Sequence, residues 1–223
     1  MSANKAQPAF SELYSAYAAG CLDPAFALLV ETQAALRPDV RRDLAMSEVI
    51  AVSHFERAEP AELDDDAVNR ALDAIDAAAA SNAPPRVALN GVSSAIGELL
   101  DLPAPLKDLA LFAAGDDGWK FTGPGLRRLA LPVSDAAETE LFRIEPGVAV
   151  PRHTHEGSEF TLVVSGGFTD ETGSFGPGDL SVKGPADCHQ PVADRDGPCI
   201  ALAVRDGGLR FQGVIGIVQR LIG

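Results

Sequence analysis

Cysteine is scarce in this sequence, and long apolar runs are absent. Its 223 residues include three cysteines, Cys21, Cys188 and Cys199. They are too few and too widely spaced for a disulfide framework or a cysteine-rich zinc site. No run approaches the roughly 18 apolar residues of a membrane span, and residues 1–13 lack the apolar core of a signal peptide. We therefore expect a cytoplasmic protein without a membrane segment.

Basic residues are also few. The chain has 18 Lys and Arg residues against 32 Asp and Glu, which gives a formal net charge of -14. Charge of this sign repels phosphate backbones and argues against direct binding of nucleic acid. A basic protein partner is compatible with it, because opposite charges steer encounter. With 46% apolar residues the chain is globular, and its length suits one large domain or two small ones.

The first part of the chain, residues 9–80, has the apolar periodicity of helices. Asp23 before Pro24 predicts one helix start, and Pro38 predicts another. Four short helices there would form a small bundle with a thin core. The apolar face of the second helix ends in two polar residues, Gln33 and Arg37. In the third and fourth helices the pattern predicts these inward-facing residues: Val40, Leu44, Val49, Val52, Phe55, Val68, Leu72, Ile75 and Ala79.

The pattern changes after the fourth predicted helix. Residues 81–86 read as a linker, and residues 87–101 add a short amphipathic helix. From about residue 102 short apolar runs alternate with Gly- and Pro-rich turns, which is typical of an antiparallel β-sandwich or barrel. The sequence therefore predicts an α+β chain with a helical domain over 1–80, a linker over 81–101 and a β domain over 102–223.

Three of the four histidines lie in the β part. Residues 147–166 read GVAVPRHTHEGSEFTLVVSG and contain His153, His155 and Glu159, while His189 follows a Gly-Pro turn downstream. Side chains alternate along a strand, so the first two histidines project from the same face. Imidazole and carboxylate together suit zinc, iron, manganese or nickel. Without a metal, these histidines would be hydrogen-bonding groups on a surface loop. Cys188 would face away from the site, and Cys199 begins an apolar run.

The spacing G-x5-H-x-H-x3-E-x6-G, from Gly147 to Gly166, resembles the first cupin motif at every position. The second cupin motif normally supplies one more histidine after a Gly-Pro turn, and His189 is its counterpart here. The resemblance implies a small β-barrel of cupin type in which His153, His155, Glu159 and His189 ligate one divalent metal, with zinc as the first choice.

The whole chain resembles the ChrR-type anti-sigma factors. The resemblance rests on LYSAYAAG at 13–20, PAFALLV at 24–30, the cupin core and FTDETGSFGPGD at 168–179. It implies a helical domain that holds an extracytoplasmic-function sigma factor and a cupin domain that senses oxidative stress or a small ligand. The family's helical zinc ligands fall here on Pro8, Gln33, Arg37 and Val40, none a normal zinc ligand. Either Arg37 pairs with a carboxylate in place of the metal, or sigma binding has been lost with the zinc.

Two further functions remain open at this point. One is a metal-dependent cupin oxygenase or isomerase, with the helices serving to form a homodimer. The other is a metal-stabilised storage or binding module. No general base, nucleophile or substrate-anchoring group stands out beside the four metal-ligand candidates, and a fold alone does not establish an activity. The regulator is therefore the favoured interpretation, and no enzymatic activity is expected.

Overall fold

The computed structural model describes residues 11–81, 94–115, 118–207 and 209–211. Six helices lie within these ranges: α1 Ser11–Ala18, α2 Pro24–Leu36, α3 Pro38–Phe55, α4 Ala67–Ser81, α5 Ser94–Leu100 and α6 Ala104–Ala114. The strands are β1 Lys120–Gly123, β2 Leu126–Ala130, β3 Glu138–Ile144, β4 His153–His155, β5 Glu159–Ser165, β6 Phe168–Asp170, β7 Gly173–Phe175, β8 Leu180–Lys183, β9 Val192–Ala193, β10 Cys199–Arg205 and β11 Leu209–Phe211.

The four helices predicted before residue 81 are confirmed, and local chemistry explains their starts. The Asp23 side chain accepts a hydrogen bond from the backbone N–H of Ala25 at 2.9 Å and so caps α2, whose first residue is Pro24. Arg37 has an extended backbone that separates α2 from α3, and Pro38 opens α3. The short helix predicted within 87–101 is confirmed as α5, whereas residues 82–93 lie outside the described part of the chain.

The inward packing predicted for the end of α3 and for α4 is wrong. Helices α1, α2 and the first half of α3 share a small core of Tyr14, Val30, Val40 and Leu44. Beyond Leu44 the apolar side chains are exposed, and Phe55 reaches 82% exposure. Val68, Leu72 and Ile75 of α4 are also more than half exposed, while the side chain of Ala79 lies outside the described set. Three helices therefore pack as a bundle, and among the described residues nothing covers the apolar face of the fourth.

All strand pairs are antiparallel, as the turn pattern predicted. The largest sheet has six strands in the order β1-β2-β3-β10-β5-β8. Smaller sheets pair β11 with β4 and place β6 between β7 and β9. Among the described strands these hydrogen bonds make three sheets of cupin type and leave the barrel open. The part of the last predicted strand beyond residue 211 lies outside the described ranges.

The central strand β10 is buried along its whole length, and the side chains on one face are larger than those on the other. Ile200, Leu202 and Val204 face a core shared with α2, α5 and α6. Ala201 and Ala203 point to the opposite side and line a cavity. Helix α6 was not predicted, since turns and strands were expected from residue 102. The main core contains residues of both α2 and the sheet, so helices and strands on either side of the predicted linker at 81–101 share it. The division of the chain into two domains stays a prediction.

Candidate metal centre

Backbone pairing brings the four predicted ligand residues together. His153 and His155 occupy alternate positions on β4, and Glu159 is the first residue of β5. His189 lies opposite His153, and each backbone N–H of this pair donates to the other's carbonyl oxygen at 3.1 Å. Two residues that are 36 positions apart therefore become cross-strand neighbours. Strand alternation then turns both β4 histidines towards the same interior point.

The four side chains form the histidine cluster, consisting of His153, His155, Glu159 and His189. All four residues are buried, and one potential ligand atom from each lies within 4.8 Å of the others. The Nε2 atom of His189 is 3.0 Å from Nε2 of His153 and 3.1 Å from Nε2 of His155. No other group of three or more metal-ligating side chains appears among the residues that the structure describes. Their role as ligands stays a prediction.

Hydrogen bonds fix the orientation of two of the imidazoles. His153 Nδ1–H donates to the carbonyl oxygen of Pro151 at 2.8 Å, and His189 Nδ1–H donates to Asp170 Oδ2 at 3.1 Å. Because these oxygen atoms can only accept, each Nε2 presents a lone pair to the interior. Burial lowers the pKa of His153 and lowers the pKa of His155 to about 4. Both rings are therefore neutral at pH 7, the form that binds a metal.

Two further contacts test whether a cation fits the cluster. Nδ1 of His155 is buried without a hydrogen-bond partner and lies 3.9 Å from Glu159 Oε2. Glu159 is held by Thr161, whose hydroxyl donates to Oε1 at 3.0 Å, and by Arg205, whose Nη1 donates to Oε2 at 3.3 Å. Converging lone pairs at about 3 Å repel each other unless a proton or a cation lies between them. The donor set could thus hold a divalent metal ion, which would neutralise these lone pairs.

Behind His189 lies a buried ion pair that sequence reasoning missed. Asp170 Oδ2 accepts from His189 Nδ1 and, at 2.9 Å, from Lys183 Nζ, while Oδ1 accepts from the backbone N–H and the hydroxyl of Thr172. Burial opposes ionisation of Asp170, but the hydrogen bonds from His189, Thr172 and Lys183 outweigh it. They hold the pKa of Asp170 far below its usual range. Asp170 is therefore a carboxylate that fixes the ring of His189.

A cavity of about 450 Å³ adjoins the histidine cluster, which supplies part of its wall. One end is ionic. There Arg205 binds Glu138 and Glu140, and Arg128 Nη1 lies 2.5 Å from Glu140 Oε1. The remainder is mostly apolar, lined by Leu126, Phe142, Ile144, Val150, Phe168, Ala201 and Ala203. Sequence reasoning also missed this ionic end, because its residues come from three strands.

The remaining histidine and the cysteines of the β part do not join the histidine cluster. His54 lies exposed on α3. Cys188 is half-buried, with its Sγ 3.7 Å from Arg152 Nη1. Cys199 is buried, and burial raises its pKa to about 12, so it stays a thiol at neutral pH. As predicted, Cys188 is not one of the grouped side chains.

A second group of polar side chains lies at the end of α2. Two of its members, Gln33 and Arg37, occupy positions at which the family resemblance implies helical zinc ligands. This helical cluster consists of Tyr14, Gln33, Arg37, Asp39 and Asp179. Tyr14 Oη–H donates to Gln33 Oε1 at 3.0 Å, and Gln33 Nε2 donates to the carbonyl oxygen of Gly178 at 3.2 Å. Arg37 pairs with Asp39 at 2.7 Å and with Asp179 at 2.9 Å.

The expectation that Arg37 pairs with a carboxylate is thus confirmed. Asp179 and Gly178 belong to the turn before β8, so the helical cluster ties α2 to the cupin-type sheets. Of the other two family positions, Val40 is buried in the small helical core, and Pro8 lies outside the described residues. Separately, no helix among the described residues is long and apolar enough to cross a membrane.

Known proteins are similar to this chain over both its helical part and its β part. A family model described as the ChrR cupin-like domain matches residues 108–206. The anti-sigma-E factor ChrR of Cereibacter sphaeroides is 36% identical over 200 residues, which span 90% of this chain and 89% of that protein. The crystal structure of Rhodobacter sphaeroides SigE in complex with the anti-sigma ChrR includes a chain similar to this one. The TM-score is 0.67 at 33% identity, with 87% of this chain and 96% of that chain covered. The chain belongs to the family of ChrR anti-sigma factors.

Proposed function

We propose that this protein is an anti-sigma factor that sequesters an extracytoplasmic-function sigma factor on an exposed apolar surface of its helices. The docking surface consists of nine large apolar side chains on α3, on the following loop and on α4, each more than half exposed. They are Met46, Val49, Ile50, Val52, Phe55, Leu63, Val68, Leu72 and Ile75. This surface is the observation that carries the proposal.

The docking surface includes an amphipathic stripe on α4. On α4 the apolar side chains recur at Val68, Leu72 and Ile75, which places them on one face. Soluble proteins rarely leave such a stripe uncovered, and amphipathic helices use it to enter grooves on partner proteins. Among the described residues no core covers this stripe, whereas Val40 and Leu44 of α3 are buried in the three-helix bundle.

The charge around the docking surface indicates what kind of partner surface would bind there. Exposed carboxylates lie beside the apolar side chains, including Glu48 on α3 and Asp73 and Asp76 on α4. A complementary partner would present an apolar groove with a basic rim. The related ChrR was crystallised with SigE, which supports a sigma factor as that partner. Coverage of the sigma factor by α3 and α4 would block the surface it needs for RNA polymerase.

The helical region does not depend on a zinc ion for this role. The bonds of the helical cluster hold α2, the start of α3 and the turn before β8 together. They support retention of sigma binding without helical zinc, the first of the two alternatives that the sequence left open. The cupin region would bind one metal, zinc in the first instance, and would respond there to oxidative stress or a small ligand. Three imidazoles and one carboxylate are a donor set that zinc accepts.

The direct test uses the full chain and an extracytoplasmic-function sigma factor from the same organism. Binding is measured by isothermal titration, and function by inhibition of sigma-dependent transcription. We expect the double variant Val49→Asp, Ile75→Asp to lose at least about 30-fold in affinity, because two buried apolar contacts become desolvated charges. Both positions are exposed in the free protein, so the circular dichroism spectrum should be unchanged.

The matched control is Phe121→Asp, which changes an apolar side chain that is 75% exposed on β1, outside the docking surface. Its affinity should equal that of the unaltered protein. Absence of any sigma binding by the unaltered protein would contradict the proposal and favour loss of function with the helical zinc. Equal losses in the control and the double variant would contradict the assignment of the surface.

A cupin oxygenase or isomerase is the second candidate, and the cavity beside the histidine cluster is the observation that favours it. Family membership favours the regulator. Oxygen consumption or isomer formation by the metal-loaded protein on a panel of small organic acids would separate the two. Turnover with no effect on any sigma factor would favour the enzyme.

A further inference from the structure

Two buried carboxylates belong to the candidate metal centre, Glu159 in the histidine cluster and Asp170 behind His189, and each forms an ion pair with a buried cation. Asp170, whose side chain has no exposed area, pairs with Lys183 at 2.9 Å, and the Lys183 side chain is only 4% exposed. Glu159 pairs with Arg205 at 3.3 Å, and the Arg205 side chain is only 3% exposed. The two cations come from different strands, β8 and β10, which flank β5 on opposite sides. Glu159, on β5, thus lies between the two strands that carry these positive charges.

These cations give each buried carboxylate of the site a positive partner that does not depend on a metal, although Arg205 is shared among Glu138, Glu140 and Glu159. In a site where the metal alone neutralises buried carboxylates, its loss leaves unpaired charges and the fold opens. Here neither Asp170 nor Glu159 would be left unpaired. Glu140, the next buried carboxylate, is likewise bound by Arg205 and Arg128. The ion pairs therefore favour a metal-free state that remains folded.

The backbone also holds the ligand positions without help from a metal. His153 and His189 exchange two backbone hydrogen bonds. Glu159 lies in register with Lys183 on one side and with Arg205 on the other, so both buried cations are direct cross-strand neighbours of this ligand position. Strand pairing alone fixes these three positions.

The same cations weaken metal binding. A buried positive charge repels a divalent ion, and the repulsion is large in a medium of low dielectric constant. Lys183 also draws the charge of Asp170 away from His189, and a carboxylate that is fully available to a histidine makes it a stronger ligand. Each cation thus lowers metal affinity while it stabilises the metal-free form.

We propose that Lys183 and Arg205 are internal counterions that make this metal exchangeable: they keep the metal-free cupin region folded and set the metal affinity below that of the four ligands alone. Metal loss would then be a reversible change of state within a folded protein. This inference rests on the proposed metal site and does not depend on the sigma factor.

The affinity test compares three variants of the full chain, with zinc as the probe and a chelator as competitor. Lys183→Gln removes the charge and keeps a hydrogen-bond donor, and we expect it to bind zinc about tenfold more tightly. Lys183→Arg keeps the charge and is the matched control, expected to stay within about twofold of the unaltered protein. Asp170→Asn should weaken binding by about tenfold or more, because His189 loses its anionic partner.

Opposite signs for Lys183→Gln and Asp170→Asn are the signature of the counterion role, since a merely structural role would weaken zinc binding in both. Weaker or unchanged zinc affinity in a folded Lys183→Gln variant would overturn the proposal. Failure of the unaltered protein to bind zinc at all would overturn both this proposal and the metal site beneath it. If the unaltered protein binds zinc but Lys183→Gln does not bind it more tightly, this proposal alone would be overturned.

The stability test needs no variant and stands even if Lys183→Gln fails to fold. Hydrogen exchange is measured on the unaltered protein before and after removal of zinc by a chelator. We expect the backbone amides of β5, β8 and β10 to stay protected, with increased exchange confined to β4 and its neighbours. Loss of protection throughout the sheet would show that the metal is structural and would overturn the proposal.

Discussion

The histidine cluster and the helical cluster both join distant segments through polar side chains, but the interactions within them differ. In both, polar side chains from distant parts of the chain converge in partly or fully buried positions. In the helical cluster every contact pairs a donor with an acceptor, as in Tyr14 with Gln33 and Arg37 with Asp179. In the histidine cluster Nε2 of His189 lies about 3 Å from Nε2 of each of the other two imidazoles. Only this second arrangement calls for a proton or a cation between neighbouring nitrogen atoms.

This difference shows that ion pairs can join distant segments without a metal. A zinc ion joins segments by gathering several anionic or neutral donors around one charge. The guanidinium of Arg37 does similar work from within the chain, because one planar group binds Asp39 and Asp179 together. Gly178 lets Arg37 approach closely. It has a φ of +83°, and a Cβ there would lie 2.5 Å from Arg37 Cγ.

The largest expected effect is on the histidine cluster. His189→Ala removes one of the four donors, and we expect zinc content to fall from about one ion per chain to nearly none. The affinity loss should exceed the roughly 10- to 100-fold typical of residues that only orient a ligand. Elemental analysis and chelator competition measure both quantities. His54→Ala, an exposed histidine on α3, is the control and should keep full zinc content. Retention of one zinc ion by His189→Ala would remove His189 from the ligand set.

A smaller effect is expected in the helical cluster. Arg37→Ala leaves Asp39 and Asp179 without their shared cation, and both carboxylates are partly exposed. We expect a loss of about 1–2 kcal/mol in the free energy of unfolding, measured by urea denaturation, with zinc content unchanged. Arg70→Ala breaks an exposed ion pair with Asp64 and should leave the free energy of unfolding almost unchanged. Zinc loss in Arg37→Ala would contradict the separation of the two clusters.

Sequence predicted best what depends on neighbouring residues. The shared face of the histidine pair on β4 follows from strand alternation, and the position of Glu159 at the start of β5 follows from the apolar run that it opens; both are local properties. The absence of zinc ligands at Gln33 and Arg37 could be read directly from the sequence. Asp170, Lys183 and Arg205 could not be found in this way, because strand register decides which of them face the histidines. The FTDETGSFGPGD segment at 168–179 supported the family resemblance but gave no sign that Asp170 would contact His189.

Apolar periodicity was a weaker guide for the helices. It identified the apolar faces of α3 and α4 correctly but could not say what covers them, and the prediction that they point inward was wrong for Val52, Phe55 and Ile75. A stripe that binds a partner has the same spacing as one that packs in a core. Helix α6 was missed because the chain from about residue 102 was assigned to turns and strands. Pro103 occupies the N-cap position of this helix, and Pro105 lies in its first turn.

The smallest expected effect concerns the acid dependence of the helical cluster. The hydrogen bond from Arg37, stronger than the opposing effect of burial, lowers the pKa of Asp39 to about 2. Because the folded pKa lies below the unfolded value of about 3.9, this pair stabilises the fold fully above about pH 4 and loses that contribution as the pH falls towards 2. The Asp39 side chain is 48% exposed, so solvent screening limits the contribution to below about 1 kcal/mol.

Asp39→Asn isolates this contribution from every other carboxylate that titrates in the same range. The difference in unfolding free energy between the unaltered protein and the variant should be largest at pH 5 and should shrink at pH 3, when both are measured by urea denaturation in the presence of chelator. The chelator keeps metal release from adding its own pH dependence. A difference that stays constant between the two pH values would mean that Arg37 depends mainly on Asp179. The turn before β8 would then hold α2 in place without help from Asp39.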